Sequence, residues 1–234
     1  MNNNLEQIVP IATDLGADIV GIANLMPARR FLLEQGNALA TSFPIGISFG
    51  IVLNQTIVNL LLKCRDRSTA MLYRQHCYNA INIRLDIISS RISNFIQLEG
   101  YDALPIPASQ TTEEFKLDGY FSHKIAAHLA GLGWIGKNHL LVTPKHGPRV
   151  RLATVLTNAP LQAVAKVLPS ECGDCSLCAD ICPSGALDKY KIIDENPNKF
   201  YLYRQLCHEY LQKMEIEIGF KVCGLCLSSC PYGR

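Results

Sequence analysis

The sequence predicts a mixed α/β (α+β) N-terminal domain followed by a cysteine-rich C-terminal domain. The chain has 234 residues, 48% of them hydrophobic, which is enough for a buried core. Helical and strand-like patterns alternate as far as about residue 160. Eight of the ten cysteines then fall between Cys172 and Cys230. We therefore place a boundary near residue 165, which gives domains 1–165 and 166–234.

The composition excludes several classes of protein. With 22 Lys and Arg against 20 Asp and Glu, the net charge of +2 argues against a nucleic-acid partner. The N-terminus lacks the charged and apolar regions of a secretory signal, so we expect a cytoplasmic location. The stretch between Glu34 and Lys63 carries no charge but contains Pro44 and several amides. It predicts a buried strand followed by a helix, and not a membrane span.

The first elements follow from short apolar patterns. Leu5–Leu15 has helical spacing, limited or kinked by Pro10. Ala17–Leu25 suits a strand, and Ala28–Gln35 a helix that Gly36 closes. Ser42–Leu53 is rich in β-branched and aromatic residues, so it predicts a buried strand.

The middle of the chain contains the longest helical pattern. Ser68–Leu98 carries an apolar stripe at helical spacing, and Gly100 is a suitable stop. Ser122 is expected to cap a short helix that ends at Gly131. The remaining predicted strands are Leu104–Ala108, His139–Thr143 and Arg149–Thr157. After Pro160 we expect cysteine-rich loops and short helices.

The first group of cysteines has the spacing of bacterial [4Fe–4S] ferredoxins. It runs Cys172-x2-Cys175-x2-Cys178-x3-Cys182 and ends in a proline. Three thiolates on a tight loop can hold three corners of one cluster, whereas the fourth points toward another cluster.

The second group repeats the end of the first with one cysteine fewer. It runs Cys223-x2-Cys226-x3-Cys230-Pro231, and Cys207 supplies the missing thiol. In two-cluster ferredoxins the last cysteine of each group ligates the other cluster, which we call the crossing rule. The first cluster then takes Cys172, Cys175, Cys178 and Cys230, and the second takes Cys182, Cys207, Cys223 and Cys226. Zinc is the competing interpretation, but zinc ribbons use two separated C-x2-C pairs. Cys64 and Cys77 fit no ligand pattern and are predicted to be ordinary thiols.

A glycine motif and a basic group precede the cysteines. Gly131–Gly136 matches G-x-G-x-x-G, but it follows a helix and leads toward a strand, so a dinucleotide site is rejected. The glycines instead allow the backbone to approach a flat ligand, or cap a helix. Four basic residues near this loop form either a solvated face or an anion site for a cofactor tail. They are Lys137, Lys145, Arg149 and Arg151.

The order of these motifs resembles one enzyme family. Ala130–Lys137 (AGLGWIGK), a turn at Gly147, the strand Arg151–Thr157 and the two cysteine groups follow one another as in the epoxyqueuosine reductases. That family is related to the corrinoid reductive dehalogenases. The resemblance covers the last half of the chain well and the first half weakly.

The resemblance implies a nitroreductase-like N-terminal domain that binds cobalamin, with two [4Fe–4S] clusters in a ferredoxin-like C-terminal domain. Asn138, His139 and Leu140 match the family's cofactor-contacting loop, and Tyr210 matches another contact. No D-x-H-x-x-G element occurs, so histidine-ligated cobalt of that kind is not expected.

The sequence departs from the family at two places. The family has an acidic proton donor where this chain has Pro107 and Ala108, and the nearby Glu113, Glu114 and Asp118 do not align with it. The sequence also lacks the C-terminal extension of the tRNA-modifying members. Proton donors are therefore sought among three other residues. They are Tyr120, His123 and Lys137.

Together these observations predict an iron–sulfur reductase. Its clusters would pass electrons from reduced ferredoxin or flavodoxin to a corrinoid, which reduces a small substrate. The alternative is a non-catalytic electron-transfer protein that reduces or reactivates a partner such as a corrinoid protein. A flavin in the N-terminal domain is a third interpretation, supported by fold analogy alone.

Overall fold

The structure of the protein, a computed structural model, describes residues 6–34, 39–63, 66–109, 119–163, 166–193 and 196–234. Their contacts form two compact units that interleave along the chain. Unit 1 contains the described residues of 1–51, 81–133 and 151–168, and unit 2 those of 52–80, 134–150 and 169–234. The boundary near residue 165 stays a prediction about sequence segments.

Helices and strands alternate through the first two thirds of the chain. The strands are β1 (Ile19–Asn24), β2 (Ile45–Val52), β3 (Ala103–Ile106), β4 (Trp134–Ile135), β5 (Leu141–Val142), β6 (Val150–Thr157), β7 (Leu187–Ile193) and β8 (Asn196–Leu202). The α-helices are α1 (Ile8–Asp14), α2 (Arg29–Glu34), α3 (Gln55–Lys63), α4 (Arg67–Tyr73), α5 (Ile81–Leu98), α6 (His123–Leu129), α7 (Leu177–Asp180), α8 (Arg204–Ile218) and α9 (Leu225–Ser228). Short 3-10 helices span Met26–Ala28 and Ala40–Ser42.

A four-stranded sheet forms the centre of unit 1. Its strand order is β1-β2-β6-β3, with β1 antiparallel to β2 and β3 antiparallel to β6. The interior residues of β2 are all buried, as the uncharged stretch predicts. No helix among the described residues is long and apolar enough to span a membrane.

One hydrophobic cluster of unit 1 contains residues of this sheet and of α6. Ala126 and Ala130 pack with Ala23 of β1 and with Leu156 of β6. Small residues are needed here because a Cβ on Gly21 would lie 2.9 Å from the carbonyl oxygen of Ala130. The alanine-rich helix therefore sits directly against the sheet.

The predicted long helix is helical over its whole extent, with one irregularity. Asp66 caps α4 by accepting a 2.8 Å hydrogen bond from the backbone N–H of Thr69. Arg74–Ala80 then forms a π-helical segment before α5 begins. Gly100 has φ +87°, a left-handed conformation that suits the predicted stop.

Three stretches differ from the sequence predictions. The predicted strand His139–Thr143 is reduced to β5, because His139 takes φ +61° in a turn. After Pro160, the expectation of loops and short helices is wrong for the antiparallel hairpin β7–β8 and for the 15-residue α8. Ser122 stands at the N-cap of α6, but its side chain makes no capping hydrogen bond.

Some predictions concern residues outside the described ranges. They are those on Leu5, Gly36, Cys64, Glu113, Glu114 and Asp118.

Candidate functional site

Four cysteine thiols of unit 2 meet at one cavity. The cavity holds roughly 380 Å³ of empty space, part of it open to solvent. Its thiols come from Cys172, Cys175, Cys178 and Cys230. Cys230 is far from the other three in sequence, so the fold, and not local spacing alone, brings the set together.

Local structure holds the loop that carries the first three thiols. The backbone N–H of Cys175 donates to the carbonyl oxygen of Cys172 at 3.0 Å, which closes a tight turn. Cys178 lies on α7. Lys137 Nζ donates to the carbonyl oxygens of Gly173 (2.5 Å) and Cys175 (3.2 Å). The lysine therefore places a positive charge beside this loop.

The other four cysteines interact with one another. Cys226 lies within electrostatic range of Cys182, Cys207 and Cys223, and also of Cys178 from the first set. Cys207 lies within range of Cys182 and Cys223. Cys182 and Cys226 also pack against the buried pair Cys178 and Leu187. The structure thus places the first four cysteines around one cavity and the other four near one another, while the assignment of each cysteine to one of two clusters stays a prediction.

Burial controls the acidity of several thiols. It raises the pKa of Cys178 to about 12, and that of Cys226 to about 12, with neighbouring thiolates adding to the effect. Burial also raises the pKa of Cys182, but hydrogen bonds from Ser184 and nearby backbone groups outweigh it and lower the pKa. Because the thiolate is the metal ligand, binding a metal group here releases protons.

The donor set fits a group larger than a single ion. A tetrahedral zinc site with bonds of about 2.3 Å needs thiolates about 4 Å apart. Among the described residues, no three His, Cys, Asp or Glu side chains are close enough to hold one metal ion. The described cysteines also form no disulfide. Four free thiols around an open volume match an iron–sulfur cubane.

The loop after the glycine motif lines the same cavity. Asn138 is buried, donates from Nδ2 to the carbonyl oxygen of Cys226 at 3.2 Å, and accepts from the N–H of Leu140 at 3.1 Å. A Cβ on Gly136 would lie 2.7 Å from Val142 Cγ2 and 2.8 Å from Asn138 Oδ1. The last glycine of the motif is therefore required by close packing beside the cavity.

The residues that the resemblance assigns to a cofactor lie in two places. Asn138, His139 and Leu140 form the turn beside the first cysteine set, with His139 and Leu140 half-buried. Tyr210 lies half-buried on α8, one turn after Cys207.

The candidate proton donors have structural contacts of their own. His123 Nε2 is 3.0 Å from the carbonyl oxygen of Pro107, which can only accept, so Nε2 carries the proton. Nδ1 then accepts from the hydroxyl of Thr154 at 3.0 Å. Burial lowers the pKa of His123 to about 4, so the ring is neutral at pH 7. Tyr120 packs against the core of unit 1.

Arg149 does not belong to a solvated face, which is one of the two interpretations of the basic group. Its side chain is only 1% exposed. Its guanidinium donates to Asn59 Oδ1 at 2.9 Å and to the carbonyl oxygen of Ser228 at 3.2 Å. Arg151, by contrast, donates from two nitrogens to Asn82 Oδ1, and Lys145 is exposed.

Comparison with known proteins identifies the cysteine-rich part. Residues 171–233 match the 4Fe-4S double cluster binding domain. This part of the chain therefore binds two [4Fe–4S] clusters, as the cysteine spacing predicts.

Curated relatives match a longer part of the chain. The chain is 35% identical over 121 residues to the epoxyqueuosine reductase of Bacillus cereus, which covers 50% of this chain and 30% of the relative. It is 33% identical over 120 residues to the epoxyqueuosine reductase of Listeria monocytogenes. This match covers 50% of this chain and 31% of the relative. The matched segment thus spans less than a third of these relatives' length. The predicted resemblance to epoxyqueuosine reductases is confirmed.

Solved structures share the fold over nearly the whole chain. The epoxyqueuosine reductase of Bacillus subtilis superposes with a TM-score of 0.60 at 19% identity, covering 98% of this chain and 65% of that one. A catabolic reductive dehalogenase superposes with a TM-score of 0.74 at 20% identity. The match covers 98% of this chain and 32% of the dehalogenase. The mixed α/β fold with a double-cluster domain is confirmed, whereas its nitroreductase-like character stays a prediction.

A third neighbour bears on the partners. It is an epoxyqueuosine reductase bound to a modified tRNA stem loop, with a TM-score of 0.59 at 19% identity, covering 97% of this chain and 64% of that one. The expectation that nucleic acid is not a partner is therefore not supported.

Proposed function

We propose that this protein is an iron–sulfur oxidoreductase that passes electrons between two [4Fe–4S] clusters. Cys172, Cys175, Cys178 and Cys230 would hold the first cluster, and Cys182, Cys207, Cys223 and Cys226 the second. The observation that carries this proposal is the cavity where Cys230 meets three thiols of the other sequence group.

The clusters would accept and release single electrons, with potentials set by charge, hydrogen bonds and solvent exposure. The chain's own groups supply these influences. Lys137 and Arg149 place positive charge near the first set. The buried Cys178 and the apolar Leu187 pack with Cys182 and Cys226 of the second set, which lowers the polarity around these ligands.

Substitution of single ligands tests the crossing arrangement. Anaerobically prepared protein should contain about eight iron atoms, four per cluster. Cys230→Ala and Cys175→Ala should remove the same electron paramagnetic resonance signal, although the two residues belong to different sequence groups. Cys223→Ala should remove the other signal, and Cys77→Ala, which changes a buried thiol outside both sets, should remove neither. Loss of different signals in Cys230→Ala and Cys175→Ala would contradict the assignment.

We propose a corrinoid as the electron acceptor and a small organic molecule as the substrate. Asn138 supports this proposal because it lines the first cysteine cavity and belongs to the loop that matches the family's cofactor contacts. A corrinoid against Asn138, His139 and Leu140 would lie next to the first cluster. Reduced ferredoxin or flavodoxin would supply the electrons.

A non-catalytic electron-transfer role is the second candidate. Two of the proposed proton donors are engaged elsewhere, since His123 contacts Pro107 and Thr154, and Lys137 holds two backbone carbonyls. Anaerobic reconstitution with cobalamin separates the two roles. Retention of one corrinoid per chain after gel filtration would support the reductase, and no retention by fully iron-loaded protein would favour electron transfer to a partner.

A further inference from the structure

Arg149 is a buried cation without a carboxylate partner. It lies between the turn at Gly147 and the first residue of β6. Its side chain is 1% exposed. In the part of the chain that the structure describes, no Asp or Glu side chain forms an ion pair with it. An arginine cannot lose its proton in a protein, so the charge must be balanced in another way.

The hydrogen bonds of Arg149 leave its charge uncompensated. Both acceptors, Asn59 Oδ1 and the carbonyl oxygen of Ser228, are neutral. The buried Nε–H has no hydrogen-bond partner among the described residues. Removing a charge from water without an opposite charge nearby is strongly unfavourable.

A second cation increases the local positive charge. Arg234 Nη2 donates to the carbonyl oxygen of Ser229 at 2.9 Å and lies 3.5 Å from that of Ser228, which also accepts from Arg149. Both guanidinium groups donate to backbone carbonyls just before Cys230, Arg149 to Ser228 and Arg234 to Ser228 and Ser229. The two cations repel each other, whereas the thiolate of Cys230 attracts Arg149. The nearby group that can become an anion is therefore a proposed cluster ligand.

We propose that Arg149 is the buried counter-charge of the first [4Fe–4S] cluster and raises its reduction potential. The inference rests on the proposed function, since it requires Cys230 to ligate that cluster. Four thiolates outnumber the positive charge of the iron–sulfur core, so the ligated cluster is an anion and becomes more negative on reduction. A fixed cation in a site shielded from water stabilises the reduced state more than the oxidised state.

Arg149 also anchors α9 through Ser228, and a purely structural role must be separated from the electrostatic one. Asn59→Asp does this, because Asp keeps the oxygen that accepts from Arg149 Nη1 and adds a negative charge against it. The anchor remains, while the positive charge is neutralised. Arg149→Gln removes the charge itself. Lys213→Gln, at an exposed lysine of α8, removes the same charge from the surface as a matched control.

The experiment measures iron content and then both cluster midpoint potentials by redox titration followed by electron paramagnetic resonance. We expect Asn59→Asp and Arg149→Gln to lower the potential of the first cluster, whose signal Cys230→Ala removes, with the other potential changed less. Lys213→Gln should change neither. Unchanged potentials in fully loaded Asn59→Asp protein would overturn the inference, whether or not Arg149→Gln folds. An equal shift in Lys213→Gln would also overturn it, because net charge would then be sufficient. Wild-type protein with far fewer than about eight iron atoms would instead refute the proposed function.

Discussion

Asn138 and Cys226 are 88 positions apart, yet Asn138 Nδ2 donates to the carbonyl oxygen of Cys226 at 3.2 Å. The same side chain accepts from the N–H of Leu140 and lines the cavity of the first cysteine set. One amide therefore connects a turn of the glycine-motif segment to a helix that carries a cysteine of the second set.

Replacing Asn138 should loosen this connection. Asn138→Ala leaves the carbonyl of Cys226 and the N–H of Leu140 without partners, which should cost about 1–3 kcal/mol in the free energy of unfolding. Chemical denaturation of the iron-loaded protein measures this loss. Asn94→Ala, at an exposed position of α5, is the control and should change the free energy by less than about 0.5 kcal/mol. Equal effects of the two substitutions would show that the Asn138 contacts contribute nothing.

Gly136 should not tolerate a methyl group. In Gly136→Ala the new Cβ would lie 2.7 Å from Val142 Cγ2 and 2.8 Å from Asn138 Oδ1, so the loop beside the cavity must shift. We expect a loss of about 1–3 kcal/mol in stability and reduced iron content. Gly46→Ala is the matched control, because its Cβ would meet only the flexible end of Leu25 at 3.3 Å. Full iron content and wild-type stability in Gly136→Ala would refute the packing requirement.

His123 should make stability depend on pH in the acid range. Burial lowers its pKa from 6.5 to about 4 in the folded protein, so the unfolded chain binds the proton more readily. The contribution of His123 to the free energy of unfolding is therefore complete above pH 6.5, and it is lost as the pH falls toward 4. Between pH 7.5 and 5 the loss attributable to His123 should be about 1–2 kcal/mol.

The measurement is denaturant unfolding at both pH values. His123→Gln has no imidazole to titrate, so it should show a smaller difference between the two pH values than the wild type. His208→Gln, on α8, should keep the wild-type difference. A His123→Gln protein with the same pH dependence as the wild type would exclude this group as the cause.

Only part of the cysteine arrangement follows from a local rule, because bringing Cys230 to the first three cysteines requires the fold. The spacing Cys172-x2-Cys175-x2-Cys178 fixes three thiols on one loop, and the offset of Cys182 directs it away from them. The hairpin β7–β8 was missed although LDKYKII and KFYL are rich in β-branched and aromatic residues, which favour strands. The strand signal is therefore present in the sequence of both segments.

Other features depend on contacts that no local pattern encodes. The hydrogen bonds of the buried Arg149 go to Asn59 and Ser228, which come from distant segments of the sequence. His139 interrupts a strand-like run because Asn138 turns back to accept from Leu140. Neither the burial nor the turn follows from residue type or periodicity.

The position of Cys230 has a consequence for biosynthesis. The cavity has three of its thiols once translation has passed Cys178, but the fourth is added only after α8 and α9 have been made. A nascent chain that stops between these points would present an incomplete, solvent-accessible triad of thiols to oxidants and stray metals. Iron delivery is therefore expected to follow synthesis of the polypeptide, and not to accompany it.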